Sequence, residues 1–354
     1  MINLKQLSRD IIKLKKNKRK IVFTIGSTSK RGVISSNLTP IRETGRLSIF
    51  GLNFYNIDDI KKVINKIHSL VDYVFIDCEK KISKNLNVSE IINYFKTKNK
   101  KNIKKNLFYT YKANDLTVEA ADKFLEKKCS DSFEGDKYVF GIIGAGNIGS
   151  KLALKINERG GKVYIFRRNF KSLKTITAAL NLIKNRYVKK KILSSRSISD
   201  LAKKCNILIS CSNYNKPIIS EKLLTKCKDL KFILDVGKQS VMKNGITFAQ
   251  KNSVDIYRLD ISTSLISMIE NYIKYDRTIL KKVGRKKIKN ISYVSGGYLG
   301  MKNDIIVNDI NNIKKIYGLA DGKGDFKKRF GNISLKRYLL NKLNREKKLS
   351  LSKN

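Results

Sequence analysis

The chain has 354 residues, 41% of them hydrophobic, which is length and apolar content enough for two or three domains with buried cores. Its 76 Lys and Arg against 29 Asp and Glu give a formal net charge of +47, but the cations are spread along the whole chain, mostly Lys among abundant Ile and Asn; that reads as compositional bias, so nucleic acid is not an expected partner. Five cysteines (Cys78, Cys129, Cys205, Cys211, Cys227) without CxxC spacing and a single histidine argue against a disulfide framework or zinc site, and no run reaches the roughly 18 apolar residues of a membrane span, so a reducing, cytoplasmic setting is expected.

In chain order, Ile2, Leu4, Leu7, Ile11 and Leu14 form an apolar stripe on a basic helix, either packed on the first domain or lying on a membrane surface. A first series of β-rich runs follows at 21–26, 46–52, 72–78 and 106–112, with helices over 56–70 and 87–98 for which Asn56 and Asn87 are candidate N-caps. His68 falls near the end of the first of these helices and reads as a structural residue. The stretch LTVEAADKFLEKKCSDSFEGDK reads as a helix and a polar turn between domains. A second series begins at Tyr138, with strands YVFGIIG, KVYIF, KKILS, NILISCS and KFILDVG. Beyond Gly245 come a strand-like DIYRLDI, a long helix around SLISMIENYIKYDRTILKKV, a glycine-rich ISYVSGGYLGMKND and a basic tail.

This alternation predicts an α/β fold: a Rossmann-type doubly wound parallel sheet domain and a preceding α/β substrate domain. The expected organisation is a substrate domain over 1–115, a connecting helix and linker over 116–136, and a dinucleotide-binding domain over 137–262. Residues 263–326 are expected as a helix and glycine-rich segment returning to the cleft, and 327–354 as a flexible basic tail.

Between the first strand of the second series and its helix, Gly144, Ala145, Gly146, Asn147, Ile148 and Gly149 spell GxGxxG. The first glycine permits a tight turn, the second lets backbone approach a pyrophosphate, and the third lets helix pack on strand; the phosphates then meet the helix N-terminus. The next strand ends in Arg167 and Arg168, where an NAD enzyme carries an acid for the ribose. A guanidinium there can hold a 2′-phosphate, so NADP(H) is preferred over NAD(H). Ser210, Cys211, Ser212, Asp235, Val236 and Gly237, at the carboxyl ends of two later strands, are candidates to border the nicotinamide and its ribose. Cys211, with no histidine neighbour, is expected to line the cofactor and not to act as a nucleophile.

GAGNIGSKLA, FRRN, NILISCSN followed by KPII, and the LDVG strand together resemble the NADP-binding domain of shikimate/quinate dehydrogenases and glutamyl-tRNA reductases, over residues 137–240. Shikimate dehydrogenases also have a smaller α/β substrate domain in front, and an Asn-Thr-Asp segment whose aspartate works with an upstream catalytic lysine. The resemblance places Asn114 and Asp115 of YKANDLTVEA at the matching position, while Lys112 is adjacent in sequence where the family's lysine is distant. The family's serine-rich substrate segment has no clear counterpart; Ser27 to Ser29 before Lys30, or Ser35 and Ser36, are the available substitutes. Cys78 in FIDCEKK does not match the nucleophile motif of the reductases.

For hydride transfer to a carbonyl, Lys112 is the candidate proton donor, Tyr111 an alternative donor, and Asp115 the group that orients the donor or binds a hydroxyl. Asp115 could instead cap the helix that follows. Candidate substrate contacts are Asn114, Ser27, Lys30 and Gly297, with Arg31 and Arg42 as further cations for an acidic substrate. The expected protein is an NADP(H)-dependent dehydrogenase of a small polar, anionic hydroxy or carbonyl compound, with a homodimer allowed for. The alternatives are a non-catalytic dinucleotide-binding regulatory or partner subunit, and a reductase of a nucleic-acid-linked substrate.

Overall fold

The computed structural model describes residues 4–16, 18–27, 36–54, 57–79, 88–98, 107–129, 133, 135, 137–275, 280–288, 291–295, 297–329, 337, 340, 341 and 345. It divides into two compact units, Met1–Ser267 and Met268–Asn354.

The first unit begins with α1 (Leu4–Lys16), β1 (Lys20–Ser27), β2 (Asn37–Leu38), β3 (Arg42–Glu43), β4 (Leu47–Phe54), α2 (Ile57–Ile67), β5 (Tyr73–Asp77), α3 (Val88–Lys98) and β6 (Leu107–Tyr111). The strands order β2-β4-β1-β5-β6, with β3 also on β4, and β4, β1, β5 and β6 run parallel. Such strands are covered on both faces, which is why β5 is buried at every position and β4 at all but one. Leu7 and Ile11 of α1 are buried in the same cluster as Ile60, Val63 and Ile64 of α2, so the N-terminal helix packs on this domain through these residues. From β1 the chain moves to one side for β4 and to the other for β5, which puts a topological switch point at the carboxyl ends of β1 and β5.

A 17-residue helix, α4 (Ala113–Cys129), leads to the second sheet. There follow β7 (Val139–Ile143), α5 (Asn147–Glu158), β8 (Lys162–Phe166), α6 (Phe170–Ile183), β9 (Leu193–Ser194), α7 (Ile198–Ala202), β10 (Ile207–Ser210), α8 (Glu221–Leu224), β11 (Phe232–Asp235), α9 (Lys243–Lys251) and β12 (Asp255–Arg258). The order β12-β11-β10-β7-β8-β9, parallel throughout, is that of a doubly wound dinucleotide-binding sheet. The connecting helix belongs to its core: Ala121, Leu125, Cys129 and Phe133 are buried with Phe140, Ile142 and Leu152.

The helices α4 and α5 run side by side in the same direction, cross-linked by matched charges. Lys151 meets Asp115, Lys155 meets Glu119 and Asp122, and Arg159 meets Asp122 and Glu126. Acids on one helix and cations on the other repeat at about one turn, so their N-termini lie at the same end.

Helix α10 (Ser262–Lys274) runs across the boundary between the units. The second unit holds β13 (Gly284–Ile288), β14 (Ile291–Ser295), β15 (Ile305–Val307), β16 (Ile316–Ala320) and β17 (Phe326–Arg329), in sequential order, with only the β14–β15 pair parallel. Tyr293, Ile305, Val307, Ile310, Ile313 and Ile316 form its core. Its buried Asp304 is gripped by both Nε (2.7 Å) and Nη2 (3.0 Å) of Arg285. The glycine-rich segment supplies β14 and the connection to β15 that holds Gly297 and Gly300, and Lys327, where a flexible tail was expected to start, lies inside β17. Among the described residues no helix is long and apolar enough to cross a membrane.

Candidate cofactor and active site

The turn between β7 and α5 is built around glycine at each expected position. Gly144 has φ +104°, and a Cβ there would stand 2.9 Å from both the carbonyl carbon of Cys211 and the amide nitrogen of Ser212. A Cβ on Gly149 would stand 2.1 Å from the Gly144 carbonyl oxygen, so helix and turn touch through backbone alone. Gly146 faces the other way: nothing lies within 4 Å of its would-be Cβ. It is also the N-cap of α5, and neither a side-chain cap nor an acidic residue occupies the first turn. An open approach to uncapped amides at the positive end of a helix fits a pyrophosphate. Ala145 is buried, Ile148 is half-buried against the core, and Asn147 is exposed beside Gly146.

The end of β8 folds against this turn, since the amides of Gly144 and Ala145 both donate to the Phe166 carbonyl, at 2.9 and 3.1 Å. Arg167 and Arg168 are both exposed, yet they are held differently. Arg167 donates from Nη1 to the Ala145 carbonyl at 3.3 Å, whereas the Arg168 guanidinium sits over the Tyr214 ring, 5.0 Å from its centroid. Asn169 caps α6 by accepting from the Ser172 amide at 2.9 Å.

On the other side of the turn, the ends of β10 and β11 pack backbone to backbone. The Val236 and Gly237 amides donate to the Ser210 carbonyl at 2.9 and 2.8 Å, and a Cβ on Gly237 would lie 2.2 Å from the Ser212 carbonyl oxygen. The Ser210 hydroxyl is buried without a hydrogen-bond partner among the described residues. Burial first, and the charge of Asp235 second, push the Cys211 thiol up to about 12, which leaves it un-ionised and poorly nucleophilic at neutral pH. Asp235, expected to border the nicotinamide, is buried and turned inward: it accepts from the Ser240 hydroxyl at 2.6 Å and the Ser240 amide at 3.2 Å, fixing the loop after β11.

At the carboxyl edge of the first sheet, Asp77 and Glu79 cap α4. The Ala113 amide donates to Asp77 Oδ1 at 3.4 Å and the Asn114 amide to Glu79 Oε2 at 2.7 Å. Helix α4 therefore starts two residues before Asp115, which sits in the first turn and is not the cap. Its carboxylate is half-exposed, takes the Lys151 ammonium as a close partner, and has Lys112 Nζ at 4.0 Å. Tyr111 is buried, and burial together with the charges of Asp77, Glu79 and Cys78 holds its phenol well above the ordinary value. A Cβ on Gly26, near the end of β1, would lie 3.4 Å from the Tyr111 hydroxyl and 3.1 Å from Asn53 Oδ1, so these groups converge on the switch point.

The structure thus gathers Gly144 to Gly149, Arg167, Arg168, Ser210 to Ser212 and Val236–Gly237 around one turn, and puts Tyr111, Lys112, Asn114 and Asp115 at the first sheet's edge. Arg42 donates from Nε to the Ser262 hydroxyl at 2.5 Å. Gly297, with φ +82° and open space at its Cβ position, forms a turn in the second unit. Lys30, Arg31, Asn56 and Asn87 lie outside the described residues, as does the side chain of Ser27. Lys151, Tyr214 and Ser240 were missed from sequence. Each acts through a partner that only the fold brings near.

Strand order, glycine turn and uncapped helix define residues 137–260 as a Rossmann-type dinucleotide-binding domain. Residues 125–260 are similar to the family model described as shikimate / quinate 5-dehydrogenase; the first sheet is not matched. No curated protein matches the chain. Among solved structures, the dipicolinate synthase A chain of Bacillus subtilis is similar at 12% identity, over 73% of this chain and 97% of that one, with a TM-score of 0.36. The hetero-hexameric glutamate dehydrogenase of Thermus thermophilus is similar at 7% identity, over 74% and 69%, with a TM-score of 0.38. Phosphoglycerate oxidoreductase of Vibrio cholerae is similar at 12% identity, over 68% and 84%, with a TM-score of 0.35.

Proposed function

We propose that the protein is an NADP(H)-dependent oxidoreductase acting on a small polar, anionic hydroxy or carbonyl compound held between the carboxyl edges of the two sheets of the first unit. The observation that carries this reading is the pairing of Asp115 with Lys151, which sets the first turn of α4 beside the N-terminal half of the cofactor-binding helix α5. The groups proposed for proton transfer therefore stand at the rim of the proposed phosphate site. When bound, the reduced nicotinamide supplies a hydride to the carbonyl carbon. Lys112 gives the proton to the carbonyl oxygen, Asp115 holds that ammonium in place, and Asn114 binds a substrate hydroxyl. Tyr111 suits this role less well, because its burial beside two carboxylates makes it a weaker acid than a free phenol. The Gly146 opening and the α5 amides would take the pyrophosphate, with a guanidinium at the end of β8 for the 2′-phosphate.

Fluorescence titration with NADPH and NADH, followed by an NADPH-oxidation screen over keto acids and cyclic ketones, tests the reading. Lys112→Ala and Asp115→Asn are each expected to lower turnover by about 100-fold or more, the usual scale for an acid–base group, with NADPH affinity retained. Unchanged turnover in both variants would overturn the role assignments.

A further inference from the structure

The two arginines that follow β8 are not equivalent, and the difference lies in what holds them. Arg167 turns back onto the glycine turn, spending a donor on the Ala145 carbonyl, so its part is to brace the turn. Among the described residues no hydrogen bond holds the Arg168 side chain; its guanidinium sits over the ring of Tyr214, from the loop after β10. That loop is fixed in turn: the Tyr214 amide donates to Ser212 Oγ at 3.2 Å, and the Ser212 backbone packs against Gly144 and Gly237. The strand order β10-β7-β8 places the β10 and β8 loops on either side of the glycine turn, so the contact between Tyr214 and Arg168 arches across the turn.

Resting on the reading of this site as an NADP(H) site, we propose that Tyr214 is a positioning residue that sets the preference for the 2′-phosphate by pinning Arg168. A guanidinium held over a ring by cation–π attraction gives up no N–H donor to a hydrogen bond, which leaves its donors free for a phosphate. A long exposed arginine otherwise has many rotamers to lose on binding, and a ring that pre-orders it lowers that cost for the ligand that uses the donors. NADH lacks the 2′-phosphate and gains nothing from the ordering. The contact should therefore show in the ratio of the two affinities more than in either alone.

The test measures Kd for NADPH and NADH on the full chain for the parent, Tyr214→Phe, Tyr214→Leu, Arg168→Ala and the double variant Arg168→Ala/Tyr214→Leu. Tyr214→Leu is expected to lower the NADPH preference about three- to fivefold, the scale of an exposed cation–π contact, and Tyr214→Phe to keep it. In the Arg168→Ala background the leucine should change the ratio no further. A parent with no NADPH preference would defeat the cofactor reading itself. A parent with the preference, lost in Arg168→Ala but intact in Tyr214→Leu, would overturn the role of Tyr214 and leave that reading standing. An equal further loss in the double variant would assign Tyr214 to the ligand directly and likewise reject the pinning role. The ratio is internal to each variant, so a general loss of stability does not imitate the result.

Discussion

Asp122 is buried on α4 to 3% side-chain exposure, and burial by itself would push its carboxyl up. Two partners on α5 and its C-cap reverse the sign: Arg159 donates from Nε and Nη2 at 3.0 Å each, Lys155 adds a contact at 3.2 Å, and the carboxyl ends below its ordinary value. A depressed carboxyl stabilises the fold fully above the unfolded value of about 4, and that stabilisation is lost as pH falls through the lower folded value. Asp122→Asn should therefore cost about 2–3 kcal/mol at pH 7, less than the roughly 3–5 kcal/mol of a fully buried pair, because Arg159 and Lys155 keep 31% and 40% of their surface and are partly resolvated. Urea unfolding at pH 7 and near pH 3 checks it. The gap between parent and variant should narrow in acid, whereas a constant gap would mean that packing, not charge, is what Asp122 supplies.

The turn and the first turn of α5 separate two uses of glycine within four residues. Gly149 packs helix against turn, so Gly149→Ala, with its Cβ at 2.1 Å from a backbone oxygen, should lower stability by about 2–3 kcal/mol. Gly146 has φ −100° and ψ −158°, a conformation open to alanine, with empty space ahead of it. Gly146→Ala should leave thermal unfolding within about 0.5 kcal/mol of the parent, yet weaken both NADPH and NADH by tenfold or more as a methyl enters the phosphate approach. Retained binding in that variant would move the phosphates away from the turn. This element was legible in the sequence because its requirements are local: glycine spacing, the strand before and the helix after. Tyr214, Lys151 and Ser240 were not, since each acts through a partner more than 4 residues distant that only the fold delivers. The helix start at Ala113 was hidden for the same reason, as its caps are Asp77 and Glu79, at and just past the end of β5.

Over the whole molecule, legibility followed strand burial. Central strands of the parallel sheets, such as β10 and β11, are buried on both faces and read as apolar runs, while β13 (GRKKI) and β17 (FKKR) carry lysines at exposed positions and did not read as strands. The same lysines make a net charge of +47 the dominant long-range term. Two electrostatic effects then oppose each other as salt is added. The pairs along α4 and α5 weaken, but each exposed pair contributes under about 1 kcal/mol, and the most buried acid there is screened least. Repulsion among the unmatched cations, which favours the unfolded chain, acts over many pairs and is screened beyond a Debye length of about 8 Å at 0.15 M. The second effect should win. Raising NaCl from 50 to 500 mM is therefore expected to raise Tm by about 2–5 °C in scanning calorimetry. A fall in Tm over that range would mean that the cross-linked helices, and not the charge excess, govern the stability of the fold.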